Sequence, residues 1–249
     1  MYHQIAHLYD WPGALAFASK INEKDLTLLT QAGLQKGARV LDLACGTGTL
    51  SITLAQAGYQ VLGIDLSAAM LKQAKQKAAA HQPALNIEWQ EGDMRYFLLN
   101  EPVDAVLCHY DSLNHLSNET ELRGTFLQVA EALKPGGLFV FDLNTLENYQ
   151  TFWNGKDTYE GPNYRLKTTS SFNPDSGKAD VLFAVDEYND HGELFHHEET
   201  VYEQYFNERA VEKYLMSADF YDIQHEAFNP VEDLPADFPL KTFWTCKRR

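Results

Sequence analysis

Short apolar runs alternate with longer amphipathic stretches through the first 145 residues of the chain. The apolar runs have the length of buried strands, and they predict strands at 38–43, 59–65, 85–90, 103–109 and 136–142. The stretches with apolar residues at helical spacing predict helices at 14–33, 48–57, 67–81 and 119–133. Ser67 stands where the N-cap of the third helix is expected. This alternation predicts an α/β fold with a parallel, doubly wound sheet and right-handed crossovers.

The pattern changes after residue 150, where strand-like segments follow one another without helices between them. These segments are rich in Val, Phe, Tyr and Thr, and they occupy 163–173, 178–189 and 194–206. The sequences Asn-Pro-Asp-Ser-Gly and Asn-Asp-His-Gly between them are typical of hairpin turns. We therefore predict a three-stranded antiparallel β-sheet inserted into the α/β domain.

The last part of the chain predicts a return to the main sheet. A helix is expected at 207–218, and strands at 221–229 and 241–247 would add an antiparallel edge. With the five earlier strands they give a mostly parallel sheet of seven strands. The predicted boundaries are 1–150 with 207–249 for the main domain, and 151–206 for the insert.

The composition narrows the class of protein. The chain has 249 residues, 45% of them hydrophobic and 22% charged, which is typical of a globular protein. Its 20 basic residues against 35 acidic ones give a formal net charge of −15, which disfavours nucleic acid and anionic membranes as partners. No apolar run has the length of a membrane span, and the N-terminal sequence lacks the features of a signal peptide. Three cysteines do not make a disulfide framework, so a cytoplasmic location is expected.

The first two strands end in a pattern typical of a nucleoside-binding site. The first strand leads through Asp42 into the glycine turn Ala44-Cys45-Gly46-Thr47-Gly48, and the second strand ends in Asp65. Glycine lets a ligand lie against the backbone, and an acid at this spacing can accept the hydroxyls of a ribose. The dinucleotide pattern needs a third glycine where Ser51 stands, and no P-loop lysine follows. A plain strand-to-helix turn is the structural alternative.

Four segments resemble the motifs of one enzyme family, in the order in which that family has them. The segment DLACGTGT at 42–49 resembles the first motif of the class I S-adenosylmethionine-dependent methyltransferases. GIDLSAAM at 63–70, EGDMRYF at 91–97 and LKPGGLFVFDLN at 133–144 agree with the later motifs. The resemblance covers most of residues 36–145. It implies a Rossmann-like fold, S-adenosyl-L-methionine as the cofactor and methyl transfer as the reaction.

The resemblance also implies which residues hold the cofactor. Asp65 would bind the ribose hydroxyls, Asp93 the exocyclic amine of adenine, and Asp42 the ammonium group, directly or through water. Turn or capping roles are the structural alternatives for Asp65 and Asp93. Cys45 is expected to be a small buried thiol rather than a nucleophile. The expected cofactor contacts are Tyr9, Asp42, Ala44, Cys45, Gly46, Gly48, Asp65, Leu66, Met70, Asp93, Met94, Cys108 and His109.

The acceptor is expected to be a small molecule. An amine is preferred over a hydroxyl, because methylation of a neutral amine moves positive charge and does not create it. Leu-Tyr-Asp at 8–10 resembles the N-terminal lid of sugar-amine N-methyltransferases, which also carry an antiparallel insert. His109, His115 and Tyr9 are the candidate catalytic residues, since a histidine can take a proton from an amine. Further candidates for the acceptor pocket are Tyr2, Trp11, Asp111, His196, His197, Tyr202 and Tyr205.

The sequence leaves several alternatives open. A cofactor-binding regulatory protein, an aminopropyl transferase and a nucleic-acid methyltransferase would all have such a nucleoside site. The Asn-Pro-Pro-Tyr motif of enzymes that methylate bases or amides is replaced by CHYDS at 108–112, which disfavours the last alternative. The segment HGELFHH at 191–197 lacks the spacing of known zinc motifs, so no metal is expected. Both a monomer and a homodimer are compatible with the sequence.

Overall fold

The computed structural model describes residues 2–10, 12–189, 191–231, 234–235 and 238–249. The α-helices are α1 (Pro12–Gln31), α2 (Thr49–Ala57), α3 (Ala68–Ala79), α4 (Glu119–Ala132), α5 (Leu146–Phe152) and α6 (Glu208–Ser217). The strands are β1 (Arg39–Leu43), β2 (Gln60–Asp65), β3 (Ile87–Glu91), β4 (Val103–Cys108), β5 (Leu133–Asn144), β6 (Lys156–Glu160), β7 (Tyr164–Asn173), β8 (Lys178–Tyr188), β9 (Leu194–Gln204), β10 (Phe220–Phe228) and β11 (Lys241–Arg248). Short 3-10 helices lie at Ala6–Leu8 and Ser112–His115. Within these described ranges no helix is both long and apolar enough to cross a membrane.

Seven strands form the main sheet, in the order β10-β11-β5-β4-β1-β2-β3. The pairs from β5 to β3 are parallel, and β11 runs antiparallel to both of its neighbours. This confirms the predicted α/β fold with a mostly parallel seven-stranded sheet. The chain leaves β1 toward β2 and β3, and then crosses back to β4 on the other side. The carboxyl ends of β1 and β4 therefore flank the crevice where such sheets bind ligands.

The inserted sheet has four antiparallel strands, in the order β6-β7-β8-β9, where the sequence predicts three. The additional strand, β6, pairs with β7 from Lys156 opposite Thr169 to Glu160 opposite Arg165. Its sequence, Lys-Asp-Thr-Tyr-Glu, is short and mostly exposed, so it lacks the apolar alternation that marks the other three strands. The boundaries 1–150, 151–206 and 207–249 stay a prediction for the division into domains.

The main sheet is buried on both faces, as parallel sheets usually are. Leu41 and Leu43 of β1 face one core cluster, which α4 and α6 complete with aromatic and aliphatic side chains. Val40, which precedes Leu41 in the strand, faces a second cluster that α1 and α2 cover. Because neighbouring strand residues point to opposite faces, the apolar run of β1 contributes to both clusters. These two clusters fix the strand ends from which the site is built.

Candidate functional site

The glycine turn between β1 and α2 has an unusual backbone. Ala44, Gly46 and Gly48 have positive φ angles of 61°, 54° and 75°. A Cβ atom added to Gly46 would meet nothing within 4 Å, whereas one added to Gly48 would lie 2.5 Å from Trp89 Cη2. The space beside Gly46 is therefore open, and Gly46 lines a cavity. Gly48 leaves its space to Trp89 on β3.

Asp65 connects the glycine turn to the next helix. Its Oδ2 atom accepts a hydrogen bond from the Gly46 amide at 2.8 Å, and its Oδ1 atom accepts one from the Ser67 amide at 2.8 Å. Burial raises the pKa of the Asp65 carboxyl. Ser67 Oγ in turn accepts from the Met70 amide at 3.3 Å, which confirms the predicted N-cap of α3. The carboxylate is thus held at the strand end by two backbone N–H groups.

A cavity of about 250 Å³, the strand-tip cavity, lies beyond the carboxyl ends of β2 and β3. The β2–β3 register sets Asp65 opposite Glu91, so Asp93 follows two residues beyond the same edge. The cavity is lined by the predicted cofactor residues Tyr9, Ala44, Gly46, Asp65, Leu66, Met70, Asp93 and Met94, and by Tyr2, Ser67, Gly92, Arg95, Tyr110, Ser112, His115, Leu116, Ser117 and Glu121. Two carboxylates and two apolar side chains from consecutive strand ends thus surround one space.

A second cavity of about 460 Å³, the intersheet cavity, lies between the glycine turn and the inserted sheet. Alternate residues of three inserted strands face it, as the two-residue period of a strand requires: Asp157, Tyr159, Leu166, Thr168, Ser170, Val181 and Phe183. The opposite side is formed by the N-terminal segment, the start of α1 and the end of β4. The two cavities share the lining residues Tyr2, Tyr9, Ala44, Gly46, Tyr110 and Ser112.

The lining of the intersheet cavity is aromatic and acidic. Three aspartates line it, Asp10, Asp111 and Asp157, and the described lining residues include no Lys, Arg or His. Two lysines outside this lining pair with its aspartates: Lys77 Nζ lies 2.6 Å from Asp10, and Lys241 Nζ lies 3.2 Å from Asp111. The aromatic residues are Tyr2, Tyr9, Phe17, Tyr110, Phe152, Trp153, Tyr159 and Phe183. Such a cavity favours a cation over an anion.

The N-terminal segment, residues 2–10, closes one side of both cavities. Tyr2 and Tyr9 contact each other edge to face, with ring centroids 5.2 Å apart. The backbone amides of His3 and Gln4 each donate to the carboxylate of Glu199 at 3.1 Å. Residues 2–10 therefore connect the main domain to the inserted sheet.

Asp10 attaches this segment to the glycine turn. Its carboxylate accepts hydrogen bonds from Thr47 Oγ1 and Lys77 Nζ, both at 2.6 Å. Lys77 also donates to Thr49 Oγ1 at 2.8 Å. Sequence reasoning missed Lys77 and Glu199, because their partners lie far away along the chain and no local pattern marks them.

The structure does not bring His109 to the site. The imidazole is buried between two carboxylates, with Nε2 2.9 Å from Asp25 and Nδ1 3.0 Å from Asp142. It stacks on Phe243 and lines neither cavity. Burial opposes its charge, but Asp25 and Asp142 together raise the pKa of His109 to about 10. A buried imidazolium between two carboxylates cannot take a proton from a substrate. His109 therefore has a structural role in this fold, and not the catalytic and cofactor-binding roles expected from the sequence.

Three other expected cofactor residues also lie away from the cavity walls. Asp42 is buried and accepts a hydrogen bond from Ser51 Oγ at 2.5 Å, and burial raises the pKa of its carboxyl to about 7. Cys108 is fully buried in the core, and Gly48 packs against Trp89. None of these three residues lines a cavity. The buried Cys45 does line the intersheet cavity, and burial raises the pKa of its thiol well above the usual value.

His115 lies in the wall of the strand-tip cavity. Its Nδ1 atom is 2.9 Å from the carbonyl oxygen of Tyr202, which can only accept, so Nδ1 carries the proton. Nε2 therefore keeps its lone pair. Burial lowers the pKa of His115, so the ring is neutral at neutral pH. Tyr2, which lines both cavities, packs against the ring at 5.9 Å between centroids.

The histidines and tyrosines expected from the insert lie elsewhere. His196 is exposed and pairs with Asp186 at 2.8 Å, and neither it nor His197 lines a cavity. Tyr202 is 66% exposed and contributes its carbonyl oxygen only, to His115. Tyr205 packs near Tyr149. Trp11, another expected acceptor residue, lies outside the described residues.

Comparisons with known proteins show what the sequence and the fold of this chain are similar to. Residues 40–137 match the family described as a methyltransferase domain. The YqeM protein of Bacillus subtilis is 42% identical over 115 residues, which cover 46% of this chain and 46% of YqeM. The dTDP-3-amino-3,6-dideoxy-alpha-D-glucopyranose N,N-dimethyltransferase of Streptomyces fradiae is 35% identical over 121 residues, which cover 47% of this chain and 44% of that enzyme. The crystal structure of an S-adenosylmethionine-dependent methyltransferase from Clostridium acetobutylicum covers 99% of this chain and 98% of its own, with a TM-score of 0.80 and 23% identity.

Residues 40–137 thus match a methyltransferase domain, and the chain as a whole has the fold of an S-adenosylmethionine-dependent methyltransferase. The matched segment spans about half the length of the curated relatives. The rest of the chain, including the inserted sheet, shares its fold with the Clostridium enzyme.

Proposed function

We propose that this protein transfers a methyl group from S-adenosyl-L-methionine to a small-molecule amine. The residues of the strand-tip cavity fit the cofactor. Gly46 leaves open space, Asp65 offers a carboxylate to a ribose, and Asp93 offers one to a purine amine. Leu66 and Met70 supply apolar contact for the base. Tyr9, Ala44, Cys45 and Met94 complete the proposed contacts.

The observation that carries the choice of an amine is the lining of the intersheet cavity. Three aspartates and eight aromatic side chains surround it, and the described lining has no basic residue. A carboxylate or an aromatic face stabilises an ammonium group, whereas a phosphate needs Arg, Lys or backbone donors. The Streptomyces fradiae relative is named for a nucleotide-linked aminosugar. The acceptor of this protein is instead an amine without phosphate groups.

The side chains of the protein have three tasks in this reaction. The cofactor supplies a methyl group that its sulfonium makes electrophilic. Asp111 and the aromatic walls hold the amine at the junction of the two cavities, which aligns it and lowers the barrier. His115 Nε2 accepts the proton that a protonated amine must lose. Residues 2–10 and the inserted sheet, predicted to cover the acceptor pocket, exclude water.

Calorimetric titration with S-adenosylhomocysteine tests the cofactor site. We expect the wild-type protein to bind and Asp65→Asn to bind about 10- to 100-fold more weakly, the value of a hydrogen bond to a charged group. Asp175→Asn, a change in an exposed turn, is the matched control. Equal affinity of Asp65→Asn and wild type would contradict the assignment of this site.

Mass spectrometry of reaction mixtures tests the acceptor. Amines with and without a phosphate group, and matched alcohols, are incubated with the protein and S-adenosylmethionine. We expect a mass gain of one methylene on phosphate-free amines. A gain confined to phosphorylated amines or alcohols would refute the acceptor class, and binding of the cofactor without any transfer would favour the regulatory protein.

A further inference from the structure

Arg95 occupies the wall of the strand-tip cavity between two carboxylates. Its Nη2 atom lies 2.6 Å from Asp93 Oδ2, and its Nε atom lies 3.0 Å from Asp93 Oδ1. The Arg95 backbone amide also donates to Asp93 Oδ1, at 2.9 Å. On its other side, Nη1 lies 3.0 Å from Glu121 Oε1. The guanidinium thus binds the Asp93 carboxylate through two nitrogens and the Glu121 carboxylate through the third.

This arrangement is tied to both sides of the cavity. Glu121, in the first turn of α4, accepts the Ser117 amide at 2.9 Å through its other oxygen. Asp93 follows β3, so the Asp93–Arg95–Glu121 chain joins the end of β3 to the start of α4. Arg95 is the one Lys or Arg among the described residues that line this cavity, which also has the Asp65 carboxylate. The positive charge of Arg95 therefore reduces the electrostatic repulsion among the carboxylates that line this cavity.

The contacts leave one acceptor position on Asp93. Oδ1 accepts from the Arg95 amide and from Nε, which occupies both of its lone pairs. Oδ2 accepts a hydrogen bond from Nη2 at 2.6 Å. Its second contact, with Nε at 3.1 Å, is shared with Oδ1. Oδ2 can therefore still accept a hydrogen bond from a ligand. The hydrogen bonds from Arg95 also lower the pKa of Asp93, so this carboxyl acts as an acceptor and not as a donor.

We propose that Arg95 is a positioning residue that sets the base selectivity of the cofactor site, by fixing Asp93 with Oδ2 available to the exocyclic amine of adenine. This inference rests on the proposed function. Adenine presents an N–H₂ donor to this oxygen, whereas hypoxanthine presents a carbonyl oxygen at the same position. An ionised and fixed carboxylate accepts from the first and repels the second.

The test measures the dissociation constants of S-adenosylhomocysteine and of S-inosylhomocysteine by calorimetry. We expect the wild type to prefer the adenosine compound by about 10-fold or more, since the carboxylate loses a charge-assisted bond with hypoxanthine. In Arg95→Gln the ratio of the two constants should fall at least about 5-fold, because Asp93 loses its bidentate partner. Arg95→Lys, which keeps the charge but not the fork, should give an intermediate ratio.

Arg165→Gln is the matched control, because the Arg165 guanidinium also pairs with a carboxylate, that of Glu160, but lies in the inserted sheet and lines neither cavity. Its ratio should stay within about 2-fold of wild type, the error expected for a change that leaves the contact itself intact. Equal losses for both ligands in Arg95→Gln and Arg95→Lys would overturn the inference, since a purely structural role weakens both alike. Failure of the wild type to bind either compound would refute the proposed function itself. If Arg95→Gln does not fold, Arg95→Lys decides the question with the same ratio.

Discussion

At the scale of single residues, the state of His115 follows from one hydrogen bond. The Tyr202 carbonyl fixes the proton on Nδ1, and burial favours the neutral ring. A neutral imidazole with a free Nε2 in a cavity wall has the chemistry of a general base. His109, six residues earlier, has the opposite state, because two carboxylates hold it protonated.

His115→Asn tests the base. Asparagine can still donate to the Tyr202 carbonyl but has no basic nitrogen, so kcat should fall about 100- to 10,000-fold, the usual value of general-base catalysis. Because the base must be unprotonated and burial lowers its pKa, wild-type activity should decline only below pH about 6.5, the ordinary pKa of histidine. A pH–rate profile measures this decline, and it should be absent in His115→Asn. His196→Asn, at an exposed histidine, is the control. If the decline of activity at low pH persists in His115→Asn, another group is the base.

At the scale of elements, the two glycines of the β1–α2 turn have different structural roles. Gly46 has space where a side chain would point, and its amide holds Asp65. Gly48 has none, because the Trp89 ring and Ala74 of α3 fill that space. A Cβ atom added to Gly63 on β2 would lie 2.7 Å from the same ring, so the indole packs over two positions without a Cβ atom. The glycine pattern thus encodes packing as well as ligand access.

Substitution of Gly46 and of Gly48 by alanine distinguishes the two roles. Gly48→Ala should cost about 2–4 kcal/mol of unfolding free energy, from a clash in a packed region together with positive-φ strain. Gly46→Ala should cost about 1–2 kcal/mol, from the strain alone. Urea denaturation measures both changes. Calorimetry should show that Gly46→Ala also weakens cofactor binding. Equal losses of stability in the two variants would contradict the packing role of Gly48.

At the scale of the whole molecule, a buried network of charges joins elements from both ends of the chain. His109 follows β4, Asp25 belongs to α1, and Asp142 belongs to β5. Lys241 of β11 completes it, with Nζ 2.8 Å from Asp142. Burial opposes the charge of Asp142, but Lys241 and His109 hold its pKa far below the usual value. Lys241 Nζ also lies 3.2 Å from Asp111, so the network reaches the wall of the intersheet cavity.

The pH dependence of stability tests this network. The folded pKa of His109, about 10, is above the ordinary unfolded value of about 6.5. Its stabilisation is therefore complete below pH 6.5 and is lost as the pH rises through about 10. His109→Gln should cost about 3–5 kcal/mol at pH 6, as removal of one partner from a buried ion pair does. Urea denaturation should show a difference from wild type that shrinks toward pH 10. A constant difference would mean that His109 is neutral when folded. His191→Gln, in an exposed turn, is the control.

The expected cofactor residues that line the strand-tip cavity belong to continuous local patterns. Asp65, Leu66, Met70, Asp93 and Met94 each follow a predicted strand at a fixed distance, and parallel strands bring their carboxyl ends to one edge. Such residues need no knowledge of distant contacts. The fourth inserted strand, β6, was missed because pairing with β7 creates it and its own sequence carries no strand pattern.

The sequence by itself determined the main sheet and the segment that matches a methyltransferase domain, because hydrophobic period and strand-end motifs are local properties of the chain. Only the tertiary structure decided which titratable groups reach the cavities. His109 and His115 lie in one short segment, yet one is enclosed by Asp25 and Asp142 and the other faces a cavity. Their difference depends on α1, β5 and β9, whose side chains and carbonyls come from far along the chain. Burial and charge are properties of these distant contacts, so they appear only after the chain has folded.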